Sequence, residues 1–350
     1  METNLEMCVG IDCAATEHEV CLSKMLPDKE VLKVASLTIS NSKNGFVKLE
    51  KWMLKQRLLK DTKIVLEATG VYHESLAMYL FDQGWNVSVV LPSMSKSFSK
   101  TLKQKSVNDK LSSYMLSIMG LEKKLDKWKK PDPLFRRLRN LTRERGQITA
   151  EQTAVKNQLH AESCGAWPDK SAIKRMKDRL KMMSKQVKEI EKELKLWIEK
   201  NPGLKKKVEN ITSIHGVGLI TTVSVIAETD GFNLIRNAKQ LVSFAGLDVI
   251  EKQSGTSVRG KSRISKKGNS YLRKALYFPA ISAVKKEGSY KNLYIRVFDK
   301  TGIKMNGSVA VQRKILILMY MLWKTDKKYD INYHINELGK PRRATLNELA

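Results

Sequence analysis

The spacing of apolar and polar positions divides the chain into a sheet-forming part and a helical part. Residues 7–13 (MCVGIDC), 19–26 and 31–39 read as successive strands, with Pro27-Asp28-Lys29 as the turn between the second and third. Asn41-Ser42 can cap a helix over 43–57, where Phe46, Leu49, Trp52 and Met53 recur at helical spacing. A fourth strand, 63–67 (KIVLE), precedes a helix over 71–83. A fifth strand, 86–91, stops at Pro92; a basic loop and a helix from about Val107 to Leu121 follow. Strands in a row, then alternation with helices, predict a mixed sheet with helices on its faces.

From residue 122 the period changes. Leu138, Leu141, Ile148, Val155 and Leu159, with Arg145 and Gln152 at the intervening core positions, form one seam of three- and four-residue steps, and Met176, Leu180, Met183, Val187, Ile190, Leu194 and Trp197 form another. Gly165 and Pro168 interrupt them, so the pattern predicts a long antiparallel coiled-coil hairpin over 122–203 with a lysine-rich solvated face. A hairpin alone buries little, so the seam is also expected to serve as a dimer interface. Asn201-Pro202-Gly203 ends this region. Gly216 and Gly218 then turn the chain into an apolar helix from Leu219, helices follow over 238–246, from Ser270 to about Lys286 and over 309–323, and the tail after Lys324 reads as loosely ordered. The expected domains are 1–121, 122–203 and 204–325, with a charged tail over 326–350.

The formal net charge is +28, and it is unevenly distributed: residues 1–120 hold 15 Lys+Arg against 13 Asp+Glu, which leaves +26 on the remainder. A basic excess of that size predicts a polyanionic partner, nucleic acid before a membrane surface. No apolar run approaches the ~20 residues of a membrane span. Cys8, Cys13, Cys21 and Cys164 lack metal-ligand spacing and read as reduced thiols of a cytosolic protein.

Two constellations carry candidate chemistry. Asp12 and Glu67 each end an apolar strand, where a charge is costly unless paired or metal-bound, and Asp109 starts a helix. Three carboxylates from separate elements suit Mg2+, an ion of oxygen ligands and phosphates; strand-end salt bridges are the alternative. The second constellation is Ser254 beside Gly255, followed by Arg259, Lys261, Arg263, Lys266, Lys267, Arg273 and Lys274 with no acid among them. A hydroxyl facing a cationic run suits a nucleophile meeting a polyanion, and a solvated basic loop is the plain alternative. Ser265 is a rival nucleophile; glycine after Ser254 favours the latter because it permits close approach of a backbone. Amides at the Gly216–Gly218 turn can bind a phosphate oxygen.

The motifs VGIDCA around Asp12, VLEATGVYH around Glu67 and VNDKLSSY around Asp109 resemble the RuvC-like branch of the ribonuclease H fold. Together with IHGVGLITTVSVIAETDGF, AKQLVSFAGLDV, QSGTS and ISKKGNSYLRKALYFPA, they resemble the DEDD transposases of the IS one-ten insertion-sequence type, relatives of the Piv invertases and described as bridge-RNA-guided recombinases. The likeness runs from about residue 7 to 285. It departs where the family has a last Asp, because Ser112 stands there.

The resemblance implies an α/β RuvC-like domain, a helical hairpin and a mostly helical transposase domain. It implies that Asp12, Glu67 and Asp109 hold Mg2+, and that Ser254 forms a covalent phosphoserine link with DNA. It also implies a structured guide RNA, donor and target DNA, a homodimer or tetramer, and a bacterial cytoplasmic, nucleoid-associated setting. Two other readings stay open: a Mg2+-dependent endonuclease without a covalent intermediate, and a nucleic-acid-binding protein silenced at Ser112.

Overall fold

The computed structural model describes residues 6–102, 108–250, 253–254, 258–259 and 263–330. It divides into two compact units, Met1–Lys130 and Pro131–Ala350.

The first unit is built on β1 (Met7–Cys13), β2 (Glu17–Met25), β3 (Val31–Ser40), β4 (Lys63–Glu67) and β5 (Asn86–Val90). The sheet order is β3-β2-β1-β4-β5, with the first three strands antiparallel and β1, β4 and β5 parallel. This is the mixed sheet that the strand pattern predicts, in the ribonuclease H order that the resemblance implies. Strand alternation divides β1 between two layers. Val9 and Ile11 face a cluster formed with α1 (Lys43–Lys55) and α2 (Glu74–Asp82), including Phe46, Leu49, Leu76 and Leu80. Cys8 faces the opposite cluster, where α3 (Pro92–Ser99) brings Phe98 and α4 (Asp109–Glu122) brings Leu116 and Met119.

Ser42 caps α1, its Oγ accepting from Gly45 N at 3.3 Å. The segment after Pro92, expected as a loop, is helical: proline occupies the first turn of α3, where its missing N–H is no loss. The second helix begins at Glu74 rather than 71. Val107 lies outside the described residues.

In the second unit, α5 (Pro133–Cys164) and α6 (Lys170–Glu199) form the expected long helical hairpin. Its base enters the main core, where Leu138, Leu141, Ile190, Leu194 and Ile198 join α7 (Pro202–Thr212) and α8 (Leu219–Glu228). The two seams meet each other within the chain. Arg145 pairs with Glu191 at 2.8 Å, Arg137 with Glu193 at 2.6 Å, and Gln152 Nε2 donates to Ser184 Oγ at 3.0 Å. These contacts join the two helices within the chain, and Met176, Leu180, Met183 and Val187 stay half-buried along the seam.

After α9 (Ala238–Phe244) come four two-residue strands, β6 (Val249–Ile250), β7 (Gln253–Ser254), β8 (Val258–Arg259) and β9 (Arg263–Ile264). Then follow α10 (Ser270–Lys285), α11 (Ser289–Thr301) and α12 (Lys304–Thr325). No helix was expected at α11; its Tyr290, Leu293 and Tyr294 recur at helical spacing and pack, partly buried, against the core. The final helix is longer than the expected 309–323. The first tail residues are tied down rather than loose: Asp326 accepts from Lys206 Nζ at 2.7 Å and Asn210 Nδ2 at 3.0 Å. Residues 331–350 lie outside the described residues. Among those described, no helix is long and apolar enough to cross a membrane.

Candidate active site

Strand register sets the acidic site. In the parallel pair, Gly10 lies beside Val65 and Ile11 beside Leu66. One step further along both strands stand Asp12 and Glu67, on neighbouring strands ~4.8 Å apart. By alternation Asp12 shares the face of Cys8 and Gly10, the face covered by α4. Gly10 makes that cover close: a Cβ there would lie 2.1 Å from Ser113 O and 2.3 Å from Ser117 N, both backbone atoms of α4. Gly120 is the reciprocal contact, where a Cβ would meet Cys8 Sγ at 2.3 Å. A hydrogen bond of 2.6 Å between the buried Ser23 and Ser117 hydroxyls fixes the helix further.

The N-terminus of α4 then supplies the remaining groups. Asn108 caps it, accepting from Leu111 N at 2.8 Å, Asp109 opens the first turn, and the Ser112 hydroxyl hydrogen-bonds to Asp12. Burial, then the charges of Glu67 and Asp109, push the Asp12 carboxyl up to about 6, against the hydrogen bonds from Ser112 and the Cys13 amide. The structure thus brings Asp12, Glu67, Asp109 and Ser112 into one electrostatic neighbourhood. These oxygen donors suit a hard divalent cation, and their mutual repulsion is what such a cation relieves. Among the described residues, no three His, Cys, Asp or Glu side chains converge into a group that could hold a metal ion.

The raised Asp12 has a stability consequence. The folded state holds the proton more tightly than the unfolded chain, so stability falls as pH rises from about 4 through about 6. In chelator at neutral pH, Asp12→Asn is expected to raise the melting temperature by a few degrees. Discounted for partial solvent contact, this corresponds to ~1–2 kcal/mol. Thermal unfolding at pH 7.5 and pH 4.5 checks it: the gain should shrink at the lower pH.

The serine loop is a two-storey hairpin. Val249 pairs with Ile264 and Ile250 with Arg263 at its base; Gln253 pairs with Arg259 and Ser254 with Val258 further out. Gly255 and Lys261 lie outside the described residues. The base is docked on the end of α9. Lys266 N donates to Gly246 O at 3.1 Å and Asn269 N to Phe244 O at 2.8 Å. Gly268 approaches so closely that a Cβ would lie 2.5 Å from Gly246 N and from Phe244 O.

Arg273, read from the sequence as a phosphate contact, donates from Nη1 to Ala245 O at 2.8 Å and Gly268 O at 3.2 Å. That satisfies carbonyls at a helix C-terminus, where a cation is favoured. Arg263, Lys266, Lys267 and Lys274 are exposed. Ser265 Oγ donates to Asp248 Oδ1 at 2.5 Å and accepts from Lys267 N at 3.3 Å, so its hydroxyl is engaged on both sides in closing the base. Gly216, at φ +83°, packs against α10, where a Cβ would lie 3.1 Å from that of Ser282; Gly218 precedes α8 with open space around it.

Sequence reasoning missed the ionic centre beneath this hairpin. Glu228, nearly fully buried at the end of α8, accepts from Arg143 Nε and Nη2 at 2.7 and 2.8 Å and from Asn269 Nδ2 at 2.6 Å. Asn269 also caps α10 through Tyr271 N and Leu272 N, and Arg143 lies 4.2 Å over the Tyr271 ring. The signal was available: Glu228 ends an apolar run as Asp12 and Glu67 do.

A mixed sheet with acids at its strand ends, followed by a basic helical unit, belongs here to the class of transposases, as the family models show. Residues 9–162 match a family described as Transposase, of the DEDD IS110 type, and residues 208–295 match the Transposase IS116/IS110/IS902 family. The chain belongs to this IS110-type transposase family. It is 23% identical over 328 residues to the pilin gene-inverting proteins of Moraxella lacunata and Moraxella bovis, covering 93% of this chain and 98% of each relative. Among solved structures, Thermus thermophilus RuvC bound to a Holliday junction substrate matches with a TM-score of 0.26 and 10% identity. That match covers 32% of this chain and 90% of RuvC.

Proposed function

We propose that this transposase is RNA-guided and exchanges DNA strands through a covalent phosphoserine at Ser254. In each cleavage the Ser254 Oγ attacks the scissile phosphorus. The bond to the leaving deoxyribose oxygen breaks, that oxygen takes up a proton, and the hydroxyl proton of Ser254 passes to a base. Attack by the deoxyribose hydroxyl of another strand then releases the serine, so the phosphodiester energy is conserved and no nucleotide cofactor is needed. Arg259, Lys261, Arg263, Lys266, Lys267 and Lys274 offset the charge on the phosphate. Mg2+ held by Asp12, Glu67 and Asp109 would supply Lewis-acid polarisation of the phosphoryl oxygens and a lowered proton affinity for the attacking hydroxyl.

The observation that carries this reading is the hairpin register, with Ser254 on the outer ladder, one pair from Arg259. Engagement of the Ser265 hydroxyl by Asp248 favours Ser254 over its rival. A guide RNA, with donor and target DNA as its partners, is supported by the +28 charge in a chain without a recognisable base-reading module. In a dimer or tetramer, the acids and the serine would come from different copies.

The test is a denaturing gel for a protein–DNA adduct, with guide RNA, nicked donor and target DNA, and Mg2+. An adduct is expected that persists in Ser265→Ala, is lost in Ser254→Ala and grows in Ser112→Asp, which completes the acid set. Cleaved ends without an adduct, unchanged in Ser254→Ala, would leave a metal-dependent endonuclease instead. Binding without any strand breakage, in Ser112→Asp as well, would leave a nucleic-acid-binding protein.

A further inference from the structure

The longest uniform charge pattern on the protein lies outside both candidate sites. On α6, lysines recur in steps of four and three residues at Lys170, Lys174, Lys177, Lys181, Lys185 and Lys188, and the pattern runs on through Lys192 and Lys195. At ~100° per residue these steps keep all eight in a stripe about 80° wide and ~38 Å long. All eight are exposed. Their face is opposite the seam of Met176, Leu180, Met183 and Val187, which is half-buried in the hairpin. Glu191 and Glu193 turn away toward Arg145 and Arg137 on α5. Among the described residues, the stripe's one ion pair is Lys185 with Glu189, 3.8 Å apart and largely exposed.

A solvated helix face normally interleaves Glu with Lys, because opposite charges four residues apart stabilise a helix and like charges destabilise it. From Lys170 to Lys188, α6 instead sets eight Lys and Arg against the single acid Asp178. The stripe therefore works against its own helix unless a polyanion neutralises it. Its members are all lysine, a point charge suited to phosphate rather than to bidentate reading of base edges. A straight row of ~38 Å matches about eleven base pairs of a duplex rising 3.4 Å per pair, and a duplex is stiff over far longer distances than this.

We propose that the lysine stripe of α6 is a rail for the phosphate backbone of duplex DNA, gripping it without regard to sequence. The inference rests on the reading of the chain as a DNA-acting transposase, and it adds a binding surface on the hairpin to the cations of the serine loop.

The test is a fluorescence-anisotropy titration of the full chain with a labelled random-sequence DNA duplex of about 30 base pairs, in chelator so that strand chemistry is off, across a salt series. In Lys174→Gln/Lys181→Gln/Lys188→Gln the affinity is expected to fall roughly tenfold or more. The slope of log affinity against log salt should drop by about three, one for each phosphate contact removed. The equal charge change Lys48→Gln/Lys51→Gln/Lys55→Gln on α1 should leave the slope in place. Circular dichroism of both variants should match the parent, since every site is exposed. A parent that binds duplex with a slope unchanged in the α6 variant overturns the rail and leaves the proposed function standing. Failure of the parent to bind any duplex overturns the rail alone, because the guided reaction is judged separately by the adduct gel with guide RNA. A loss confined to an RNA duplex of the same length overturns the assignment to DNA.

Discussion

Replacing Gly10 with alanine is expected to disrupt the first unit, at a cost of at least ~3–5 kcal/mol. The added Cβ would lie 2.1 Å from Ser113 O, 2.3 Å from Ser117 N and 2.9 Å from Leu116 C, all backbone atoms of α4. No rotamer change relieves a clash with backbone. Either α4 lifts from β1, which opens the layer around Leu116 and Met119, or β1 buckles at the centre of the sheet. Both outcomes separate Asp109 and Ser112 from Asp12. Thermal unfolding followed by far-ultraviolet circular dichroism should show a fall of more than about 10 °C, or loss of the folded unit altogether. Gly120→Ala provides the contrast. Its Cβ would meet Cys8 Sγ at 2.3 Å and Val65 Cγ2 at 2.7 Å, side-chain atoms that can yield, so a smaller loss is expected. A Gly10→Ala protein melting within about 2 °C of the parent would refute the close contact between β1 and α4.

The second large effect is expected at Glu228. Truncation to alanine leaves the Arg143 guanidinium without its carboxylate and the Asn269 amide without its acceptor, in a site where Glu228 itself is 2% exposed. Breaking a buried ion pair by removing one partner costs ~3–5 kcal/mol; because Arg143 retains 37% exposure, the lower end is expected. Glu228→Gln keeps an acceptor for Asn269 and should lose about half as much. Urea unfolding should show a lower midpoint at unchanged slope. Amide exchange should quicken at Tyr271 and Leu272, the two N–H groups that Asn269 caps. Because that cap sits directly after the base of the serine hairpin, Glu228→Gln should also reduce the yield of the Ser254 adduct without changing duplex affinity. An unchanged exchange rate at both amides would separate Glu228 from the cap.

Much of this architecture follows from local pattern. Short continuous apolar runs in MCVGIDC and KIVLE mark buried strands, and the acid at or near the end of each is legible because a lone carboxylate after an apolar run has few inexpensive environments. The three- and four-residue steps of α5 and α6 announce a helical hairpin, and Gly165 with Pro168 marks its turn. The order of strands, then helix and strand in alternation, already limits the sheet to a mixed one. Ser254, whose role is part of the proposal, stands out in the sequence for a different reason: its cationic neighbours are adjacent in sequence. Pro92 misled, because the same residue that stops a strand also starts a helix, and nothing local distinguishes the two.

What the sequence by itself determined is therefore the set and order of elements and the chemical character of their ends, since periodicity and capping act over a few residues. Only the tertiary structure decided which glycine is a contact and which a turn, because Gly10 matters through a helix about a hundred residues later in the chain. It alone decided that Glu228 is held by Arg143 and Asn269, 85 and 41 residues away, and that Arg273 closes a helix end. These are choices of partner across long stretches of chain, set by the requirement that every buried charge and carbonyl find one, and no local pattern names the partner.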